Sequence, residues 1–199
     1  MSAGLPTATA SPQATVFWLD ANDVIVRVGE GWDEFAREND ARGIDARHVI
    51  GRNLLDFIEG DATRMYVRTL IQSARLLRRP LQRNYRCDSP DSKRFMEMQL
   101  IMEASGLLRF EHRTVGIEPM RQPVRFRLAP GATARPGPCL VRCSICNQVK
   151  GPGGWVEPDA LVPAQDVVAD PGDWPVIYGV CPRCIADPGK VLGKRLKRS

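Results

Sequence analysis

Hydrophobic and polar positions along the first 118 residues fall into short, distinct patterns. Near the start, TVFWLD and VIVRVG are rich in β-branched and aromatic residues, and the turn-forming AND separates them, so they predict two neighbouring strands. GWDEFAREND follows with Trp32, Phe35 and Ala36 at helical spacing, and NLLDFI is a further short apolar piece. The longest helical pattern is GDATRMYVRTLIQSARLLRRP, with Asp61 as N-cap and Pro80 as stop. Its stripe of Ala62, Tyr66, Leu70, Ala74 and Leu77 is expected to face a sheet. Three strand-like runs close the region: LQRNYRCD, SKRFMEMQLIMEA and GLLRFEHRTVG. In the middle one Met96, Met98, Leu100 and Met102 alternate with polar positions or Ile101, and period two puts them on one buried face. DSPDS and ASG supply hairpin turns between these runs.

Two strands, a helical middle and three further strands are the element order of a PAS domain. VFWLDANDVIVRVGEGWDEFARENDA resembles the opening of a PAS sequence, and VIGRNLLDFI resembles its segment before the long helix. YRCDSPDSKRFMEMQL is similar to the strand pair of bacterial PAS proteins. The resemblance covers about half of the chain. It implies an α+β fold, a five-stranded antiparallel sheet with helices on one face, in a sensory or partner-binding role. Some PAS domains enclose a ligand. Candidates to line such a cavity are Trp18, Phe35, Phe57, Tyr66, Met96, Met98, Met102 and His112, and the competing reading is that they pack a solid core. Haem would need an axial ligand, and His48 and His112 are the two histidines; His112 shares strand parity with Leu108 and Phe110, whereas His48 lies in the loop-like IDARHVIG. Cys87 lacks the motif of the flavin-binding PAS subfamily and reads as a small buried hydrophobe.

Beyond residue 118 the pattern changes. Pro119, Pro123, Pro130, Pro136 and Pro138 crowd EPMRQPVRFRLAPGATARPGP, and residues 119–138 read as a linker. The expected domains are a disordered start over 1–14, a PAS-like sensor domain over 15–118, a cysteine module over 139–188 and a basic tail over 189–199. The module holds Cys143, Cys146, Cys181 and Cys184 as two CxxC pairs with 34 residues between them. Each pair places two sulfurs on one tight turn, and two such turns supply the four thiolates of a tetrahedral structural zinc site. The strands in GGWV and VIYGV are expected to pair and bring the turns together, and Asn147 suits a left-handed knuckle position. A redox CxxC, disulfides and an iron–sulfur cluster fit less well, since the surroundings are rich in Pro and Gly and the start of the chain lacks a secretory pattern. Cys139 is a fifth thiol nearby, read as a bystander. The segment resembles a cysteine module found beside PAS domains in bacterial signalling proteins, departing from it at Ile145, at Tyr178 and in the longer spacer.

Composition narrows the role. Lys and Arg number 28 and Asp and Glu 23, but five of the basic residues, Lys190, Lys194, Arg195, Lys197 and Arg198, lie among the last ten. The body is therefore balanced, and the tail reads as a solubilising end. No phosphate-loop, dinucleotide, nucleophile-elbow or zincin motif occurs. The expectation is a non-enzymatic cytoplasmic sensory or adaptor protein with structural zinc and a protein partner or self-association through the PAS domain, and no membrane contact. The alternatives are a nucleic-acid-associated regulator using Lys194, Arg195, Lys197 and Arg198, and a haem or small-ligand sensor.

Overall fold

The structure, a computed structural model, describes residues 14–38, 43–129, 139–161 and 173–186. The opening runs form β1 (Thr15–Leu19) and β2 (Ile25–Val28). The Asp20 side chain closes the turn between them by accepting from the N–H groups of Asn22 and Val24, and Asp23 takes a left-handed φ of 65°. Helices α1 (Trp32–Glu38), α2 (Ala46–Val49) and α3 (Asp61–Leu77) follow, with a 3-10 turn over Leu54–Phe57 between the last two. Then come β3 (Leu81–Arg86), β4 (Ser92–Met102) and β5 (Leu108–Pro119). These five strands make one antiparallel sheet in the order β2-β1-β5-β4-β3. With α3 across one face, this is the α+β architecture the PAS resemblance implies.

Strand alternation sets the core. Phe17 and Leu19 of β1, Met98 and Leu100 of β4, and Leu108 and Phe110 of β5 point to the helical face, where they meet Leu70, Ile71 and Ala74 of α3. Each fully buried side chain of this size contributes about 1.5–3 kcal/mol relative to exposure. The helical stripe differs from expectation at two positions: Ile71 is buried, whereas Leu77 in the last turn is 47% exposed. Gly60, not Asp61, caps the helix, and Arg78 in the left-handed conformation ends it before Pro80. Residues 45–49, read as loop-like, form α2 because Asp45 caps it through the His48 N–H; His48 itself is exposed. No described helix is long and apolar enough to cross a membrane.

The segment expected to be a linker is anchored as far as residue 129. β5 runs to Pro119, the Met120 and Val124 N–H groups donate to the Asp91 and Pro90 carbonyls at 2.8 Å, and β6 (Arg125–Leu128) is a strand. The prolines flank β6 rather than interrupt it, and an edge strand needs only half of its donors. The second sheet contains β6, β7 (Leu140–Cys143), β8 (Val149–Gly151), β9 (Gly154–Val156) and β10 (Asp173–Gly179), in the order β6-β10-β7-β8-β9. The expected pairing of GGWV with VIYGV does not occur. Gly154–Val156 pairs with β8 in a tight hairpin, and β10 runs parallel between β6 and β7. A short helix, α4 (Pro182–Ala186), ends the described chain. Residues 1–13, 39–42, 130–138, 162–172 and 187–199 lie outside the described residues, and with them the start expected to be disordered, the rest of the expected linker and the tail residues Lys194, Arg195, Lys197 and Arg198.

Candidate metal centre

Parallel pairing of β7 with β10 brings the two cysteine turns together. Parallel strands end side by side, and Cys143 at the end of β7 is in register with Gly179 at the end of β10, two residues before Cys181. In the first turn the Cys143 N–H donates to the Gln148 carbonyl at 2.8 Å and the Asn147 N–H to the Cys143 carbonyl at 2.9 Å. Asn147 takes φ 59°, the left-handed conformation anticipated for it. Ser144 ties this turn to the second strand, its N–H and hydroxyl both donating to the Gly179 carbonyl. The second turn opens α4, where the Ile185 N–H donates to the Cys181 carbonyl.

The result is a compact sulfur cluster. The Sγ atoms of Cys143, Cys146, Cys181 and Cys184 lie within 4.8 Å of one another, and all four residues are buried. Cys146 and Cys181 have their sulfurs 3.8 Å apart, and none of the four is in a disulfide. Tetrahedral zinc with Zn–S bonds of about 2.3 Å requires sulfurs about 3.8 Å apart, so the donor set fits such an ion. The Cys181 N–H donates to the Cys143 sulfur at 3.4 Å, which orients that ligand and offsets its charge. The Cys143 thiol is held well below the ordinary range, first by the Cys146 S–H and then by that of Cys184. That anionic sulfur pushes Cys146 up to about 12 and raises Cys184 as well. Cys143 is thus the sulfur that ionises first, and Cys146 and Cys184 follow only beside a cation. Cys139 is exposed ahead of β7 and is not one of the clustered sulfurs.

The cluster is set against the first sheet. Tyr66 of α3 and Tyr85 of β3 pack against both the apolar core and the cysteines. The Thr63 and Ser144 hydroxyls are hydrogen-bonded at 2.5 Å. Gly60 lies so close to β10 that a Cβ there would stand 3.2 Å from the Tyr178 carbonyl oxygen and Cβ. The Arg86 N–H donates to the Ile145 carbonyl at 2.8 Å, and the Asn147 amide to the Arg86 carbonyl at 3.2 Å.

A charge network completes the seam. Arg86, whose side chain is 4% exposed, grips Asp88 with Nε at 3.0 Å and one Nη at 2.6 Å, and its other Nη donates to Glu157 at 2.7 Å. Lys93 bridges Glu157 at 3.5 Å and Asp159 at 3.0 Å, and Arg142 stands 3.8 Å from Asp88. Burial opposes the Arg86 charge, but Asp88 and then Glu157 outweigh it and hold the guanidinium protonated. Arg121 and Lys93 keep the Asp159 carboxyl low despite its burial. Three cations and three anions balance. Sequence reasoning missed this network, because charges spaced over some 70 positions carry no local motif.

The cavity candidates are placed differently from one another. Trp18 points to the outer face, since Phe17 and Leu19 take the inner positions; its Nε1–H donates to Glu103 at 2.8 Å and Arg27 lies 3.7 Å above its ring. Phe35 is half-buried on α1, outside the main cluster. Phe57, Tyr66 and Met102 pack against the core, Met98 lies within it, and buried Met96 accepts a contact from the Thr114 hydroxyl. His112 stacks against Phe17 and Phe110, and its Nδ1 is hydrogen-bonded to the Tyr85 hydroxyl at 2.9 Å. Burial drives its pKa down to about 4, so the ring is neutral. Cys87 lies exposed just past β3 rather than buried.

No protein-family model and no curated protein matches this chain. Among solved structures it is similar to the PAS domain of the RpfR quorum-sensing receptor of Cronobacter turicensis in complex with C12:0, at 12% identity over 55% of this chain and 100% of that one, TM-score 0.41. It is also similar to a sensory box sensor histidine kinase of Vibrio cholerae, at 16% identity over 53% and 84%, TM-score 0.38. A domain of an HTR-like protein of Haloarcula marismortui gives 16% identity over 52% and 98%, TM-score 0.37.

Proposed function

We propose that this chain is a non-catalytic sensory or adaptor protein of the cytoplasm, in which a PAS-type domain receives a signal and a zinc-stapled module presents it to a protein partner. The observation that carries this reading is the position of the sulfur cluster, packed on Tyr66 and Tyr85 of the sensor domain instead of standing apart from it. A displacement of α3 caused by a bound signal reaches the module through Gly60, Thr63 and Tyr66 without an intervening hinge. Four cysteines fill a tetrahedral zinc, which leaves no position for substrate and makes the ion structural. The reduced state those thiolates require is that of the cytoplasm.

The test begins with native mass spectrometry and X-ray absorption on freshly purified protein. The reading predicts one zinc per chain in a four-sulfur shell. A zinc with an oxygen or nitrogen ligand in its first shell would overturn the structural role. Affinity capture with zinc-loaded and chelated protein then tests the adaptor role: partners recovered equally by both forms contradict it.

A further inference from the structure

The outer edge of the second sheet has the features of a peptide-binding strand. No described strand pairs with the far side of β6. The Ala129 N–H donates to the Val176 carbonyl at 2.9 Å, so strand alternation turns the N–H and C=O groups of Phe126 and Leu128 outward. Side chains alternate too: exposed Arg125 and Arg127 lie on one face, and Phe126 and Leu128, the latter 49% exposed, on the other. A strand complementary to this edge alternates acidic and apolar residues.

A cleft of about 230 Å³ opens at the start of β6, walled by Asp88, Pro90, Met120, Val124, Phe126 and Arg142. Its base is fixed by the Met120 and Val124 backbone bonds to the turn between β3 and β4, and by the Arg121 N–H bond to Asp159 at 3.0 Å. Arg142 stacks 4.4 Å above the Phe126 ring and reaches Asp88 only at 3.8 Å, because Arg86 already holds that carboxylate with two bonds. From Met120 to Leu128 the chain carries three arginines and no acid. The charge is complementary to an acidic partner.

We propose that the β6 edge and this cleft bind an extended acidic segment of a partner protein, which adds to the sheet as a further strand. Duplex DNA is the poorer occupant, since it has no strand of alternating peptide donors and acceptors to pair with this edge and no apolar side chain for the face of Phe126 and Leu128. The proposal rests on the reading of the cysteine module as an interaction surface, and zinc content measured on the same sample separates the two. A folded, zinc-loaded protein that ignores the peptide sinks the edge proposal alone; a protein without zinc sinks the reading beneath it.

The experiment titrates the isotopically labelled, zinc-loaded full chain with a short acetylated peptide alternating glutamate and valine. A lysine–valine peptide and a short DNA duplex serve as the other arms. The expected result is saturable movement of the Phe126 and Leu128 amide signals with the glutamate peptide only. The R125E/R127E double variant weakens binding about tenfold through rim charges alone. Leu128→Pro removes an outward donor that makes no ladder bond, and abolishes binding while zinc content is retained. Unmoved β6 amides, equal binding of the lysine peptide, or binding of DNA in place of the peptide overturns the proposal.

Discussion

The two sheets of this protein hold together by different means. The first is entirely antiparallel, and its strands enclose one apolar cluster from Phe17 to Phe110 with α3 laid over it. The second has strands of three to seven residues, and its main buried cluster is four cysteines and Ile145, with Val149, Val176 and Leu161 buried besides. A cluster that small cannot offset the conformational entropy of its own segments. On the proposed reading its folding depends on a metal, and a seam of balanced charges ties it to the first sheet. Buried ion pairs add little net stability but penalise wrong docking heavily. On that reading the seam fixes how the module sits, and a metal in the sulfur cluster fixes whether it folds.

That comparison is most sharply tested by removing the metal. Chelation, or Cys181→Ser, is expected to remove folding free energy on the order of 10 kcal/mol from the module, read as lost amide protection across β7 and β10. Retained protection there would mean that the second sheet stands on packing alone. Next in size is Arg86→Met, which removes the cation that Asp88 and Glu157 share and leaves them only Arg142 at 3.8 Å and Lys93 at 3.5 Å, and should cost about 3–5 kcal/mol in chemical denaturation. A change below 1 kcal/mol in that assay would place the network at the surface in solution.

The first sheet has its own lever. His112 stays neutral down to about pH 4 when folded, whereas free histidine takes a proton near 6.5. Above the free value both states are neutral and nothing is lost. As pH falls from there through the folded value, only the unfolded chain gains the proton, and stability drops by up to about 3 kcal/mol. His112→Gln should flatten that part of the stability profile, and an unchanged slope would exclude His112 as its source. The smallest effect is expected from Gly60→Ala. The substitution strains a φ of 81° and presses on Tyr178, at about 1–3 kcal/mol, and the loss should appear in both sheets.

The parts of the fold legible in the sequence are those with a local period. Met98 and Leu100 announced their strand by alternation, and all five strands of the first sheet lie where their patterns placed them. The cysteine cluster was legible for a different reason: CxxC geometry is local, and only two turns had to meet. What joined them was not legible. GGWV and VIYGV both read as strands, but the first turned back on β8 and the second lay parallel to β7 and to β6, hidden in a proline-rich stretch whose four-residue strand needed few donors. The seam was invisible for the same reason, since Arg86 meets Glu157 across 71 positions. Trp18 was misplaced toward a cavity although the parity of Phe17 and Leu19 already assigned it to the other face.

The central claim is that the cysteine module and the PAS-type domain are one mechanical body with the metal at their junction. Hydrogen–deuterium exchange of the β3 amides, from Leu81 to Arg86, with and without a zinc chelator tests it most directly. Loss of the metal is predicted to raise exchange at Tyr85 and Arg86 along with the module, because Ile145 and the sulfur cluster pack on them. If β3 kept its full protection while the module alone exchanged, the two would be independent domains and the account would fail.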